Sequence, residues 1–239
     1  GHALDLAELE SLAREFGVAV VEDCAQAIGA RSGGRVVGTV GAAAAVSFYP
    51  TKNLGAMGDG GAVATASPEV DGKARALRNY GQSARYVHDE SGLNSRLDEV
   101  HAAILSTALL PRLEGWTARR RSIAARYREA LGGAAVGLPP TPEGSESVWH
   151  LFPVLVDGGR RDAFAQHLRT RQIETGIHYP VLIPEQRALR EYGRWEVRGD
   201  LSRARRFAER EVSLPIHPHL CDGDVDRVIE AVREWSRGC

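Results

Sequence analysis

Apolar side chains near the start of the chain recur at Leu4, Leu6, Leu9, Leu12 and Ala13, a spacing that places them on one face of a helix. Asp5 stands near the start of that stretch, where a carboxylate can cap free backbone N–H groups, and Gly17 ends it. The pattern then changes. Val18 to Glu22 is a short, mostly apolar run, Ala42 to Phe48 is a second, flanked by Gly38 and Gly41, and Ala62 to Thr65 is a third. Each reads as a strand, and a helix is predicted from Pro68 to Arg78. Short apolar strands alternating with helices predict an α/β layered domain with a largely parallel sheet.

From Asp98 to Leu131 the pattern is helical, with Val100, Ala103, Ile104 and Ala108 on one face. Pro111 should bend or divide this stretch, because proline removes a helix hydrogen bond and clashes with the preceding turn. The Pro- and Gly-rich segment from Gly132 to Ser147 has the composition of a connector. Beyond it, Trp149 to Val156 predicts a strand, and Arg161 to Arg171 and Asp222 to Ser236 predict helices. The predicted organisation is therefore a larger domain over residues 1–131 and a smaller α/β domain over residues 132–239.

Composition narrows the function. The 239 residues carry 30 basic and 31 acidic side chains. A net charge of −1 argues against a polyanion binder, so no nucleic-acid partner is expected. No apolar run approaches the ~18–20 residues that cross a bilayer, and no membrane association is expected. No signal peptide is recognisable at the start of the sequence. Cys24, Cys221 and Cys239 are odd in number and far apart, which suggests neither a disulfide framework nor a metal site and favours a reducing cytoplasm. Among the 30 basic residues just two are lysines, Lys52 and Lys73, leaving 28 arginines. Against a composition that favours arginine, a retained lysine can be one whose amine must lose its proton and act as a nucleophile. Met57 is the single methionine, so Gly1 is not expected to be a translation start.

The informative chemistry lies between Glu22 and Gly61. Asp23 and Gln26 follow the first predicted strand, at the edge where open α/β sheets bind ligands. Ser47-Phe-Tyr-Pro-Thr-Lys52 leaves the second strand and continues into a loop with glycines at 55, 58, 60 and 61. Glycine lets backbone approach a ligand closely. The loop lacks the glycine spacing of a P-loop. Taken singly, Asp23 could be a turn residue and Lys52 a solvated charge. Together, an acid at one strand end and a lysine beyond the next meet the minimum for pyridoxal phosphate chemistry: an imine-forming amine and a carboxylate partner for the pyridine nitrogen.

Glu22-Asp-Cys-Ala-Gln-Ala27, Ser47-Phe-Tyr-Pro-Thr-Lys-Asn-Leu-Gly55 and Gly58-Asp-Gly-Gly61 closely resemble the DegT/DnrJ/EryC1/StrS aminotransferases. The resemblance continues through Arg78-Asn-Tyr-Gly-Gln82, Gly92-Leu-Asn-Ser-Arg-Leu-Asp-Glu99, Ile177-His-Tyr-Pro180 and Ser213-Leu-Pro-Ile216. It implies a fold-type I enzyme, with residues 1–131 forming the C-terminal part of the cofactor domain together with a long interdomain helix. It also implies pyridoxal 5'-phosphate as cofactor, and transfer of an amino group from glutamate or glutamine to a keto-sugar, commonly nucleotide-linked, in sugar or antibiotic biosynthesis. By the same resemblance Lys52 carries the cofactor and shuttles the proton, Asp23 pairs with the pyridine nitrogen, and Gln26 lies beside the ring. Ser47 holds the phosphate, and Asn94 reaches the phosphate of a second subunit, because the family builds shared sites across a homodimer. His178 and Tyr179 fall on the substrate side, although His178 also reads as an ordinary hydrogen-bonded histidine.

Within the family an inosose aminotransferase is the alternative, and a sugar dehydratase is disfavoured because those relatives replace the lysine that Lys52 matches. A non-catalytic or scaffold-like homologue is the alternative from another class. The resemblance begins in mid-domain, so the isolated chain is expected to bind the cofactor poorly and to be inactive. Leu182 to Glu185 departs from the family pattern after the His-Tyr-Pro motif. Arg119 to Arg121 is expected to be a solvated helix face, Cys24 to have no catalytic part, and Asp59 to shape a turn rather than bind metal.

Overall fold

The structure, a computed structural model, describes residues 1–193 and 195–238, with the side chain of Arg190 also outside the description. Cys239 thus lies outside the described residues, and Cys24 and Cys221 are free thiols. Contacts divide the chain into two compact units, Gly1–Arg121 with Thr141–His150, and Ser122–Pro140 with Leu151–Cys239.

In the first unit, helix α1 (Leu6–Phe16) starts where the pattern places it. The Asp5 carboxylate accepts the N–H groups of Ala7 and Glu8, and Gly17 closes the helix in the left-handed conformation that favours glycine. Three strands follow as one sheet, β1 (Val21–Asp23), β4 (Ala43–Ser47) and β5 (Gly61–Ala64), in the order β1-β4-β5. β1 runs parallel to β4, with Asp23 opposite Ala45, and β5 returns antiparallel with Gly61 opposite Ser47. Between β1 and β4, the short strands β2 (Arg31–Ser32) and β3 (Arg35–Val36) pair with each other, and β2 also pairs with β8 (Ser145–Glu146). Helix α2 (Pro68–Leu77) and the ribbon of β6 (Gln82–Ala84) with β7 (Val87–His88) come after β5.

The long helical stretch is divided as Pro111 requires. Helix α3 (Glu99–Ile104) passes through a π turn at Leu105–Leu109 and a 3-10 turn at Leu110–Arg112 before α4 (Leu113–Leu131) begins. Its packing face differs from the predicted one. Val100, Ala103 and Ala108 are exposed, whereas Leu105 is buried with Leu54 and Ala56, and Leu109 and Leu113 pack against that cluster. The π turn inserts an extra residue per turn, so the face rotates away from the register that a regular helix would keep.

In the second unit, β9 (Phe152–Leu155) pairs antiparallel with β10 (Glu211–Leu214), with Phe152 opposite Leu214. Helices α5 (Arg161–Arg169), α6 (Arg187–Tyr192), α7 (Ser202–Arg210) and α8 (Asp222–Arg237) complete it. The core is larger-grained than that of the first unit: Phe152, Val154, Phe164, Leu168, Val212, Val225 and Val232 are fully enclosed. The Tyr127 ring meets Phe152 edge-on at 5.1 Å, and its hydroxyl donates to the Pro215 carbonyl at 2.9 Å. Burial raises the Tyr127 pKa far above the ordinary phenol value, so the group stays a donor. Among the described residues no helix is long and apolar enough to cross a membrane.

Candidate active site at the C-terminal edge of the parallel strands

Because β1 and β4 are parallel and in register, Asp23 and Ser47 leave the sheet at the same edge. This is the edge at which carbonyl-terminated strands and mobile connections leave room for ligands. Asp23 is exposed. Its Oδ1 accepts the Ala25 N–H at 3.0 Å, fixing the turn that carries Gln26, and Oδ2 has no hydrogen bond among the described residues. Asp23 is thus a turn residue with acceptor capacity to spare. Ser47 Oγ accepts the Tyr49 N–H at 3.2 Å, so the hydroxyl proton is left to donate elsewhere.

Lys52 sits five positions beyond Ser47, half-buried, in a turn closed by its own N–H donating to the Tyr49 carbonyl at 2.8 Å. Its amine has no carboxylate partner among the described residues, whereas Lys73, on α2, pairs with Glu90 at 3.2 Å. The two lysines therefore differ in whether an ion pair holds the amine. The loop is anchored by Asn53, which is buried and donates to the Val148 carbonyl at 2.9 Å. Its Oδ1 meets His150 Nδ1 at 3.0 Å. Gly55 lets the loop close on itself: a Cβ there would lie 2.3 Å from the Pro50 carbonyl oxygen.

Beneath the edge, Glu22 is 8% exposed, and its carboxylate accepts three backbone N–H groups, from Gly38 at 2.6 Å and from Val40 and Gly41 at 2.8 Å. Burial opposes its ionisation. The three amides, with the Arg35 guanidinium, outweigh that and hold the pKa below the ordinary carboxylate value. In the sequence Glu22 stands in a motif with no evident task, and the glycines at 38 and 41 are the signal that a carboxylate meets backbone here. Cys24, 3% exposed, has its thiol pKa raised, first by burial and then by Glu22 and Asp23, so it stays a neutral thiol.

Asn94 lies in a second strand-like contact of the same unit, bridged antiparallel to Asn79. Its Oδ1 accepts from Arg96 Nε at 3.0 Å, which leaves the amide N–H groups to donate. Gly81 and Gly92 allow the backbones to cross here, since a Cβ on Gly81 would lie 1.8 Å from the Glu90 carbonyl oxygen. His178 and Tyr179 belong to the second unit, where His178 is half-buried and Tyr179 exposed. A cavity of about 590 Å³ in the first unit, lined by Val46, Phe48, Val63, Arg75, Arg78 and Leu97 among others, includes none of the predicted site residues. The unspent donors and acceptors of Asp23 and Ser47 collect at the strand edge rather than in that cavity.

Arg120 is not part of a solvated face: it is 6% exposed and donates to the carbonyls of Trp149, at 3.1 Å, and His150, at 3.4 Å. Burial lowers its pKa to about 10, still well above neutral pH. Arg121 likewise donates to the Ser147 carbonyl at 2.8 Å. Successive helix residues point about 100° apart, so three arginines in a row cannot all face solvent on a packed helix.

The profile of the DegT/DnrJ/EryC1/StrS aminotransferase family matches residues 1–233. A dTDP-3-amino-3,4,6-trideoxy-alpha-D-glucose transaminase of Streptomyces venezuelae is 47% identical over 237 residues, which are 99% of this chain and 61% of that protein. The erythromycin biosynthesis sensory transduction protein EryC1 of Saccharopolyspora erythraea is 42% identical over 234 residues, 98% of this chain and 63% of the relative. Among solved structures, S. venezuelae DesV in complex with a ketimine intermediate superposes with a TM-score of 0.91 at 47% identity, covering 99% of this chain and 62% of that one. The chain thus spans less than two thirds of the length of each.

Proposed function

Because the chain belongs to the DegT/DnrJ/EryC1/StrS aminotransferase family and has its fold-type I architecture, we propose that the protein is a pyridoxal phosphate-dependent aminotransferase acting on a keto-sugar. The sugar is nucleotide-linked, as in the name of the S. venezuelae relative, and the donor is glutamate or glutamine. The observation that carries this reading is the set of unspent groups at one sheet edge: the unpaired amine of Lys52, the second carboxylate oxygen of Asp23 and the hydroxyl proton of Ser47.

That donor set fits the cofactor. A carboxylate with a free oxygen suits a protonated pyridine nitrogen, a hydroxyl with a free proton suits a phosphate, and an amine without an ion pair suits an aldehyde. When bound, pyridoxal phosphate supplies an electron sink for the carbon that loses a proton. The side chains do the remaining work. Asp23 Oδ2 would accept the pyridine N–H and keep the ring protonated. Ser47 Oγ would donate to the phosphate, and Gln26 would lie beside the ring. Lys52 Nζ would hold the cofactor and, as a free amine, would be the base that holds and returns the substrate proton. The half-buried setting and the Asn53 anchor limit the arc through which that amine moves. Asn94 would direct its free N–H groups to the phosphate of a second copy of the chain, in a homodimer with shared sites.

The name borne by the S. erythraea relative points to regulation. The intact set of Asp23, Ser47 and Lys52 favours the enzyme, and the free thiols of Cys24 and Cys221 suit a cytoplasmic setting. Borohydride reduction of the protein at saturating pyridoxal phosphate tests the reading, because trapping accumulates even from weak binding. The expected result is cofactor fixed to the peptide carrying Lys52, with no label in Lys52→Arg. Label spread over other amines, or none at all, would overturn it.

A further inference from the structure

We propose that Glu211 and Ser213 are positioning residues that fix His178 in the tautomer with its proton on Nδ1, so that Nε2 meets a ligand as a hydrogen-bond acceptor and selects a hydroxyl group there. The inference rests on the function proposed above in placing His178 on the substrate side.

Three polar groups form a directed chain inside the second unit. Glu211, 0% exposed, accepts the His178 backbone N–H on Oε2 at 2.6 Å and the Ser213 hydroxyl on Oε1 at 2.5 Å. Ser213, 4% exposed, faces His178 Nδ1 at 2.9 Å. With both of its oxygens accepting, Glu211 has no proton to give back to Ser213. A hydroxyl has one proton. The proton of Ser213 is committed to Glu211, so the serine turns a lone pair toward Nδ1, and Nδ1 must donate. A neutral imidazole with Nδ1–H carries its lone pair on Nε2, for which no hydrogen bond exists among the described residues.

The surrounding backbone holds this geometry. Ser213 N–H donates to the Gly176 carbonyl at 2.8 Å, and Gly176 N–H donates back at 3.2 Å. A Cβ on residue 176 would come within 2.6 Å of His178 Cε1, so glycine there leaves space for the ring. Enclosing a carboxylate is costly unless donors compensate it. Glutamine in that place could turn an amide N–H toward Ser213 and reverse the chain, whereas glutamate fixes its direction. The outcome is an acceptor at Nε2 that attracts O–H donors and repels carbonyl and phosphate oxygens. A polyhydroxylated ligand, bound through one hydroxyl, is the class that it reads.

Long-range ¹H–¹⁵N correlation on the full chain labelled at histidine nitrogen tests this, with the His178 signals identified by their loss in His178→Phe. The expected spectrum has Nδ1 in the protonated, pyrrole-type region and Nε2 in the pyridine-type region. Ser213→Ala should shift both resonances toward an Nε2–H mixture, and Ser213→Thr should restore the original positions. A pyrrole-type Nε2 in the unsubstituted chain overturns the proposal, and that spectrum decides even if a Ser213 variant does not fold. In transamination by the protein extended to the length of its relatives, His178→Phe should raise KM for the sugar about fivefold to tenfold with kcat little changed, the value of one lost hydrogen bond. An Nδ1–H ring with an unchanged KM would refute the substrate-side placement of His178 while leaving the relay intact.

Discussion

Two strands of equal length, β5 and β10, invert the usual relation between composition and burial. β5 reads Gly-Ala-Val-Ala and is exposed at every position. β10 reads Glu-Val-Ser-Leu and is buried at every position. Hydrophobicity of a strand therefore does not decide its burial here; what packs over it does. In the second unit α5 packs against β10, and β9 pairs along its length. The polar residues of β10 are admitted because each is hydrogen-bonded, as enclosed polar groups must be. The first unit shows the opposite arrangement, with a small-residue core and a sheet edge where Asp23, Ser47 and Lys52 keep capacity in reserve.

The largest stability effect that separates the two regions should come from Phe152, fully enclosed between Tyr127 and β10. Phe152→Ala is expected to cost about 3–5 kcal/mol, since the cavity is walled by residues fixed in both strands. Urea unfolding of the second unit's secondary structure measures it. A loss below ~1 kcal/mol would mean that this core is no tighter than the first unit and would remove the contrast.

Much of this was legible in the sequence, for physical reasons. Asp5, Gly17 and Pro111 act locally, through a capping carboxylate, a left-handed residue and a missing N–H, so their effects do not depend on distant partners. The strand-edge positions of Asp23 and Ser47 followed from short apolar runs that end in polar residues. Arg120 and the helix face at Leu105 were not legible. Each depends on which side of a helix another segment covers, and a π turn shifts that side without any mark in the pattern. The burial of β10 is not marked in the sequence either, because Glu211 and Ser213 alternate with Val212 and Leu214, the pattern of a half-exposed strand, although both faces are covered. The Glu211–Ser213–His178 chain could not be read either, since its members meet across about 35 positions.

Glu22 sharpens the comparison from the first unit, because it is a buried carboxylate like Glu211 but is compensated by backbone. Glu22→Gln keeps one acceptor and sets an NH₂ against a backbone N–H, which should cost about 2–3 kcal/mol at neutral pH. The pH dependence has a definite sign. Its folded pKa lies below the ordinary value of 4.5, so its stabilisation is complete above that value and is lost as pH falls through the folded pKa. The difference between the native chain and Glu22→Gln should therefore shrink as pH falls from 4.5 through the depressed folded pKa. Hydrogen exchange at the amides of Gly38, Val40 and Gly41 reports it directly. A gap that stays constant from neutral to acid pH would show that the loop does not depend on the ionised form.

The smallest effects form the most direct test, because they compare the same substitution on the two strands. Val212, on β10, is 0% exposed, and Val63, on β5, is 57% exposed. Both lose two methyl groups on change to alanine, and strand propensity falls by a similar amount at each. If cover decides burial, Val212→Ala should cost about 2 kcal/mol through lost transfer energy and an unfilled space, while Val63→Ala should stay within about 0.5 kcal/mol. Measured by denaturant midpoints, the ratio of the two matters more than either value. A large cost at Val63 would mean that another surface covers β5 in solution, and the exposed strand would then be an interface rather than an open face.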